Sequence, residues 1–221
     1  MLKGTIFDID GTLVDSNDAH ARSWVDTFAE SGYDVPFDAV RPMIGMGADK
    51  LLPKTIGVSH ESEEGKKLVK RRSEIFRERY LPRLRPFPGS RELLLRVRAD
   101  GLKAIVATSA KDQELKGLLK AAQVEDLMEE KATASDAKRS KPDPDIVHAA
   151  IEESGIPSEE LIMIGDTPYD IEAAAKARVR TIAFRCGGWT DDALKGAEEI
   201  YDGPADLLAH YESSLIGKES R

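Results

Sequence analysis

Short apolar runs rich in β-branched residues recur at 2–8, 102–107, 132–134, 161–164 and 179–184, and helical periodicity fills the intervals between them. This alternation predicts an α/β fold, a doubly wound parallel sheet with crossover helices. The interval between the first two runs is too long for one crossover, and its interior carries helical stripes, with Ala21, Trp24, Val25 and Phe28 on one and Leu51, Leu52 and Ile56 on another. An inserted all-helical domain is therefore expected over 16–84, with 1–15 and 85–221 forming the α/β core. The stretch 81–89 holds three prolines and a glycine and reads as the return linker. A capped helix is expected from Ser90, with Leu93, Leu94 and Val97 on its inner face.

In an open parallel sheet ligands bind beyond the carboxyl ends of the strands, so the polar residues that follow each run carry the functional information. The first run ends Asp8-Ile9-Asp10-Gly11-Thr12. Residues two apart on a strand share a face, and two carboxylates in one pocket repel unless a cation joins them, although Asp and Gly also suit an ordinary turn. After the second run come Thr108 and Ser109, with Asp112 at capping-box spacing from Ser109; a hydroxyl beside free helix-start amides suits a phosphate, or serves as a plain cap. After the fourth come Gly165-Asp166-Thr167-Pro168-Tyr169-Asp170, where Asp166 lies at the strand tip and Asp170, four residues on, opens a helix. Asp170 there also complements the helix dipole. In Ser140-Lys141-Pro142-Asp143-Pro144 the first proline pushes Lys141 to extended geometry, and Asp143 and Pro144 are expected to cap and open a helix. Four such tips on one sheet edge match a phosphate ester and a divalent cation. Magnesium suits oxygen ligands, whereas zinc would favour His or Cys, and His20, His60, His148 and His210 have no ligand spacing.

Composition narrows the field. With 41% hydrophobic and 33% charged residues the 221-residue chain is an ordinary globular one, and a net charge of -8 argues against nucleic-acid partners. A single cysteine, Cys186, permits no intrachain disulfide and reads as a packing residue; no basic leader or long apolar stretch is visible. The expectation is a cytoplasmic protein without membrane contact, monomeric or weakly dimeric. Over 66–85, nine Lys or Arg face only Glu74 and Glu78. Such a run suits the solvated face of a helix, or a basic surface that steers an anionic substrate to the pocket.

The motifs Asp8-Ile9-Asp10-Gly11-Thr12, Thr108, Lys141-Pro142-Asp143-Pro144 and 165–170 resemble, in order and spacing, the four motifs of the haloacid-dehalogenase-like hydrolase superfamily. The resemblance runs from residue 1 to about 208. It is closest to the branch of phosphoglycolate phosphatases and β-phosphoglucomutases, which carries a helical cap after the first motif.

The resemblance implies a magnesium-dependent phosphatase acting on a small phosphorylated metabolite. Asp8 would be the nucleophile, forming an aspartyl-phosphate, and Asp10 the general acid and base. Thr108, the Ser109 amide, the Gly11 amide and Lys141 would hold the phosphoryl group. Asp8, the Asp10 main-chain carbonyl and Asp166 would bind magnesium, with Asp170 supporting them. Family members that cleave carbon–halogen bonds lack an aspartate at the position of Asp10, so dehalogenation is set aside. An intramolecular phosphotransferase of the β-phosphoglucomutase type is the alternative, and a non-catalytic metabolite-binding protein a further one. In the cap, His20 is a candidate to reach the site, and Gly45 lies in a loop that resembles the family's cap loop. The mutases' basic residues are absent there, Ile44 and Ala48 standing in their places, which leaves Arg41 as a candidate substrate contact. Relatives place glycine where this chain has Arg178, so Arg178 is expected to be left-handed or to end its helix differently.

Overall fold

The computed structural model describes residues 1–128, 130–133 and 135–220. Six parallel strands, β1 (Gly4–Phe7), β2 (Lys103–Ala107), β3 (Glu130–Ala132), β4 (Leu161–Gly165), β5 (Arg180–Phe184) and β6 (Glu199–Tyr201), lie in the order β3-β2-β1-β4-β5-β6. Strand periodicity of two divides their side chains between two apolar layers. Phe7, Val106, Ile164 and Phe184 point into one layer, and Ile6, Ile105 and Met163 into the other.

Helices α5 (Ser90–Ala99) and α6 (Asp112–Ala121) cover the first layer through Leu93, Leu94, Val97, Leu115 and Leu118. Helices α7 (Asp145–Ser154) and α8 (Pro168–Lys176) cover the second through Ile146, Val147, Ala150, Ala173 and Ala174. Burying each large aliphatic side chain in these layers stabilises the fold by about 1.5–3 kcal/mol. Short helices α9 (Asp191–Leu194), α10 (Pro204–Ala209) and α11 (Leu215–Glu219) close the carboxyl-terminal part. Among the described residues no helix is long and apolar enough to cross a membrane.

Between β1 and α5 the chain forms α1 (Asn17–Glu30), α2 (Phe37–Val40), α3 (Ala48–Ile56) and α4 (Glu63–Ile75). These helices have their own apolar cluster, which includes Trp24, Phe28, Val40, Leu51, Leu52 and Leu68. The outgoing and returning segments run side by side: Val14 bridges Pro86, the Asp15 amide donates to the Arg85 carbonyl at 3.0 Å, and the Phe87 amide to that of Leu13 at 3.0 Å.

Several boundaries differ from the sequence expectation. The third run pairs over β3, earlier than 132–134, and Ala134 lies outside the described residues. Helix α5 is capped by Gly89 at φ 82°, because the Ser90 hydroxyl is spent on the Leu13 carbonyl at 2.9 Å. Helix α6 is capped by Lys111, since the Thr108 hydroxyl accepts the Ala110 amide at 3.1 Å and makes a turn of 108–110; Ser109 is no cap, and the Asp112 side chain lies outside the described residues. Helix α7 starts at Asp145 with Pro144 as its cap, while the Asp143 carboxylate goes to Lys50 and to Arg139, the latter at 3.4 Å. Arg178 has φ 60°, the left-handed conformation expected of it.

Candidate active site

Register fixes the site. Phe7 stands opposite both Val106 and Ile164, so the residues leaving β1, β2 and β4 emerge at nearly one level: Asp8, Thr108 and Asp166. The chain reverses its order across the sheet at β1, the place where open α/β sheets form a crevice.

Asp8, Asp166 and Asp170 are buried, with one carboxylate oxygen of each within 4.8 Å of the others. Lys141, fully buried, donates from its ammonium to Asp8 Oδ1 (2.7 Å) and the Ala107 carbonyl (3.0 Å) and forms an ion pair with Asp170 Oδ1 (2.7 Å). Burial opposes its charge, yet Asp170 and Asp8 hold its pKa above the ordinary lysine value. Thr12 donates to Asp166 Oδ1 at 3.0 Å and reaches Asp8 Oδ2 at 3.4 Å. Asp170 Oδ2 accepts from the Thr167 amide (3.0 Å) and hydroxyl (2.7 Å), closing a capping box at the start of α8.

Three carboxylates against one ammonium leave two buried negative charges. Accordingly burial, opposed by Lys141 and reinforced by Asp170 and Asp10, pushes the Asp8 carboxyl up to about 7. Burial together with Asp170 and Asp8 raises Asp166 well above the carboxylate range. Asn17 Nδ2 donates to Asp166 Oδ2 at 2.8 Å and to the Gly187 carbonyl at 3.1 Å, while its buried Oδ1 has no partner. A divalent cation fits this donor set: its charge equals the imbalance, and carboxylate and amide oxygens are the ligands that magnesium takes.

Asp10 faces elsewhere. Its Oδ1 accepts from the Ser16 hydroxyl at 2.5 Å and lies 2.6 Å from His20 Nε2. Burial would raise its pKa, but His20, the Ser16 hydroxyl and the Arg72 charge outweigh burial and hold it below the usual value. His20 lies flat on Phe76 with ring centroids 4.1 Å apart, and its Nδ1 meets an Arg72 terminal nitrogen. A guanidinium can only donate, so Nδ1 accepts and Nε2–H is the donor to Asp10.

Two expectations are corrected. The Gly11 amide is not open to a ligand, because it donates to the Val14 carbonyl at 2.9 Å. What requires glycine is its φ of 79° and its closeness to Asp166 and Asn17, since a Cβ there would lie 2.3 Å from Asp166 Oδ2. Arg41 does not face the cavity: it donates to Asp18 Oδ1 at 2.7 Å and to the Gly187 carbonyl at 2.6 Å, tying the helical insertion to the loop after β5.

Gly45, at φ 107°, does line the cavity, and its carbonyl accepts from the Ser109 hydroxyl at 3.3 Å. Cys186 packs its thiol on the Gly11 carbonyl at 3.3 Å, and burial with the Asp166 charge pushes its pKa far up, so it stays a thiol.

Asp8, Asp10 and Thr108 open onto a cavity of about 750 Å3 between the sheet edge and the helical insertion. The basic run divides. Lys66, Lys70, Arg72 and Arg77 line the cavity, whereas Arg71 and Arg79 turn outward to Glu30, Glu74 and Asp26. Thr12, Ser16, Asn17, Arg72 and Glu114 were not singled out by sequence reasoning. Thr12 lay within a quoted motif, but Arg72 and Glu114 come from elements far apart in sequence and converge only in the fold.

The haloacid dehalogenase-like hydrolase family model matches residues 5–184. Phosphoglycolate phosphatase of Caulobacter vibrioides is 33% identical over 208 residues, covering 92% of this chain and 85% of that protein. The Arabidopsis thaliana protein SUPPRESSOR OF QUENCHING 1, chloroplastic, is 34% identical over 83% of this chain, which spans 18% of that protein's length. The crystal structure of a hydrolase from Pseudomonas syringae superposes with a TM-score of 0.88 at 28% identity, covering 96% of this chain and 98% of that one. With its four strand tips in this geometry and these relatives, the chain belongs to the haloacid dehalogenase-like hydrolase family, in the branch that holds the phosphoglycolate phosphatases.

Proposed function

We propose that this enzyme is a magnesium-dependent phosphatase that hydrolyses a small phosphorylated metabolite through an aspartyl-phosphate on Asp8. The observation that carries the reading is the cluster of Asp8, Asp166 and Asp170 around Lys141, with the Asp10–His20 pair on the adjoining side of the cavity. Asp8, Asp166 and the Asp10 main-chain carbonyl would hold magnesium, which when bound supplies positive charge that keeps Asp8 ionised and offsets charge on the transferring phosphoryl group. Asp8 attacks phosphorus in line, and the Lys141 ammonium and the Thr108 hydroxyl take up the charge of the phosphoryl oxygens. Asp10, which His20 and Ser16 hold ionised in the free enzyme, would take the proton of a substrate that enters as the phosphate monoanion, give it to the leaving oxygen, and later accept the proton of the hydrolytic water. The lysines and arginines that line the cavity favour an anionic substrate.

On this reading 1–15 with 85–221 is the catalytic core and 16–84 a cap over it. Asp8→Asn is expected to abolish phosphate release from an aryl phosphate in the presence of magnesium, with circular dichroism unchanged. Undiminished turnover by the folded variant would overturn the proposal.

A further inference from the structure

Glu114 lies on α6, in the core, and only 4% of its surface is exposed. Both of its carboxylate oxygens are engaged by α4 of the helical insertion: Ser73 donates to Oε1 at 2.6 Å and Arg72 to Oε2 at 2.8 Å. Arg72 directs two further donors to the Ser23 hydroxyl (3.1 Å) and to His20 Nδ1, and its guanidinium lies over Phe76 and Trp24, 4.8 and 5.7 Å from the ring centroids. A buried ion pair stabilises less than a well-packed apolar contact of the same size, so a latch alone would not need the charge. An arginine that must present one nitrogen to His20 does need it, because a carboxylate bonded at a second nitrogen fixes the plane of the guanidinium.

We propose that Glu114 is a positioning residue: from the core it anchors Arg72 and Ser73 of α4, and through Arg72 it holds His20 in the tautomer and orientation that place Nε2–H on Asp10. The chain Glu114–Arg72–His20–Asp10 crosses from core to insertion and back, so it is complete only when the two are seated together. This inference rests on the phosphatase reading for the role of Asp10, but the positioning itself is measurable without turnover.

The test compares Glu114→Gln with Glu30→Gln, which breaks exposed ion pairs of Arg71 and Arg79 and leaves Arg72 untouched. In Glu114→Gln the side-chain nitrogen resonances of His20 shift in NMR spectra, and kcat on an aryl phosphate falls about tenfold with KM changed by less than about threefold. Glu30→Gln leaves both unchanged. Combined with His20→Asn, Glu114→Gln adds no further loss, because the two act in series. Unshifted His20 resonances in folded Glu114→Gln, or losses that add in the double variant, overturn the proposal. If the wild type turns over no phosphomonoester, the phosphatase reading fails while the His20 resonances still decide on Glu114. Should Glu114→Gln not fold, Ser73→Ala removes the other donor to the same carboxylate, and the same shift is expected of it; an unshifted His20 there overturns the proposal as well.

Discussion

Arg178 ends α8 at φ 60°, its amide bonded to the Ala175 carbonyl at 3.0 Å. A side chain with a Cβ is strained in this conformation by roughly 1–2 kcal/mol, part of which glycine returns as extra chain entropy in the unfolded state. Arg178→Gly should therefore stabilise the protein by about 0.5–1 kcal/mol. For a chain of this length that is a rise of about 1–4 °C in melting midpoint by calorimetry. A lower midpoint would show that the arginine side chain contributes more than its backbone costs. The residue was legible only through the family resemblance, in which relatives place glycine at this position, and of the two outcomes that implied the structure shows the left-handed one. Gly11 was only half legible. Its need for positive φ agrees with the turn it occupies, but the use of its amide depended on the Val14 carbonyl, which no local pattern announces.

At the scale of elements, the apolar runs that became β1, β2, β4 and β5 were readable because strands buried on both faces are continuous in hydrophobicity. Strand β6 was not: Glu199, Ile200 and Tyr201 are half-buried at the sheet edge, and a three-residue edge strand carries no run to detect. Helix starts slipped wherever a hydroxyl or carboxylate had a tertiary partner, as Ser90 has in Leu13 and Asp143 in Lys50. The strand tips were legible as chemistry, and their charge balance gives a prediction. Asp8 has its folded pKa raised to about 7 from an unfolded value near 3.8. Its contribution to stability is complete below the unfolded value and is lost as pH rises through about 7, since the unfolded chain gives up that proton first. In chelator the melting midpoint should therefore fall between pH 5 and 8, a window above the titration of ordinary carboxylates. With magnesium added the fall should shrink or reverse, because the metal binds the ionised ligands. Identical midpoints with and without magnesium at pH 8 would contradict the assignment of the cluster.

At the scale of the molecule, the helical insertion touches the core at the cavity rim, through Gly45 on Ser109, Asp49 on Ser140 and Arg72 on Glu114, and beyond it, through Arg41 and Asn17 on Gly187 and Lys50 on Asp143. These contacts are polar, whereas Phe76 and Leu84, with Ala19, Tyr80 and Leu81 packed beside them, join the insertion to the core's first apolar layer, so the polar rim parts at less cost in hydrophobic burial than that apolar seam. The only covalent connections are the paired segments near Val14 and Pro86, which are short enough to act as one hinge. Asp8 is 6% exposed behind this rim, and on the proposed phosphatase reading we expect the rim to open for substrate to reach it. Hydrogen exchange should thus be faster at 44–50 and 72–73 than in β1 and β4, and magnesium with inorganic phosphate should slow it at those segments and at 14–17, leaving the sheet unchanged. Uniform slowing across sheet and insertion alike would mean global stabilisation, and the hinge would then have no part in substrate admission.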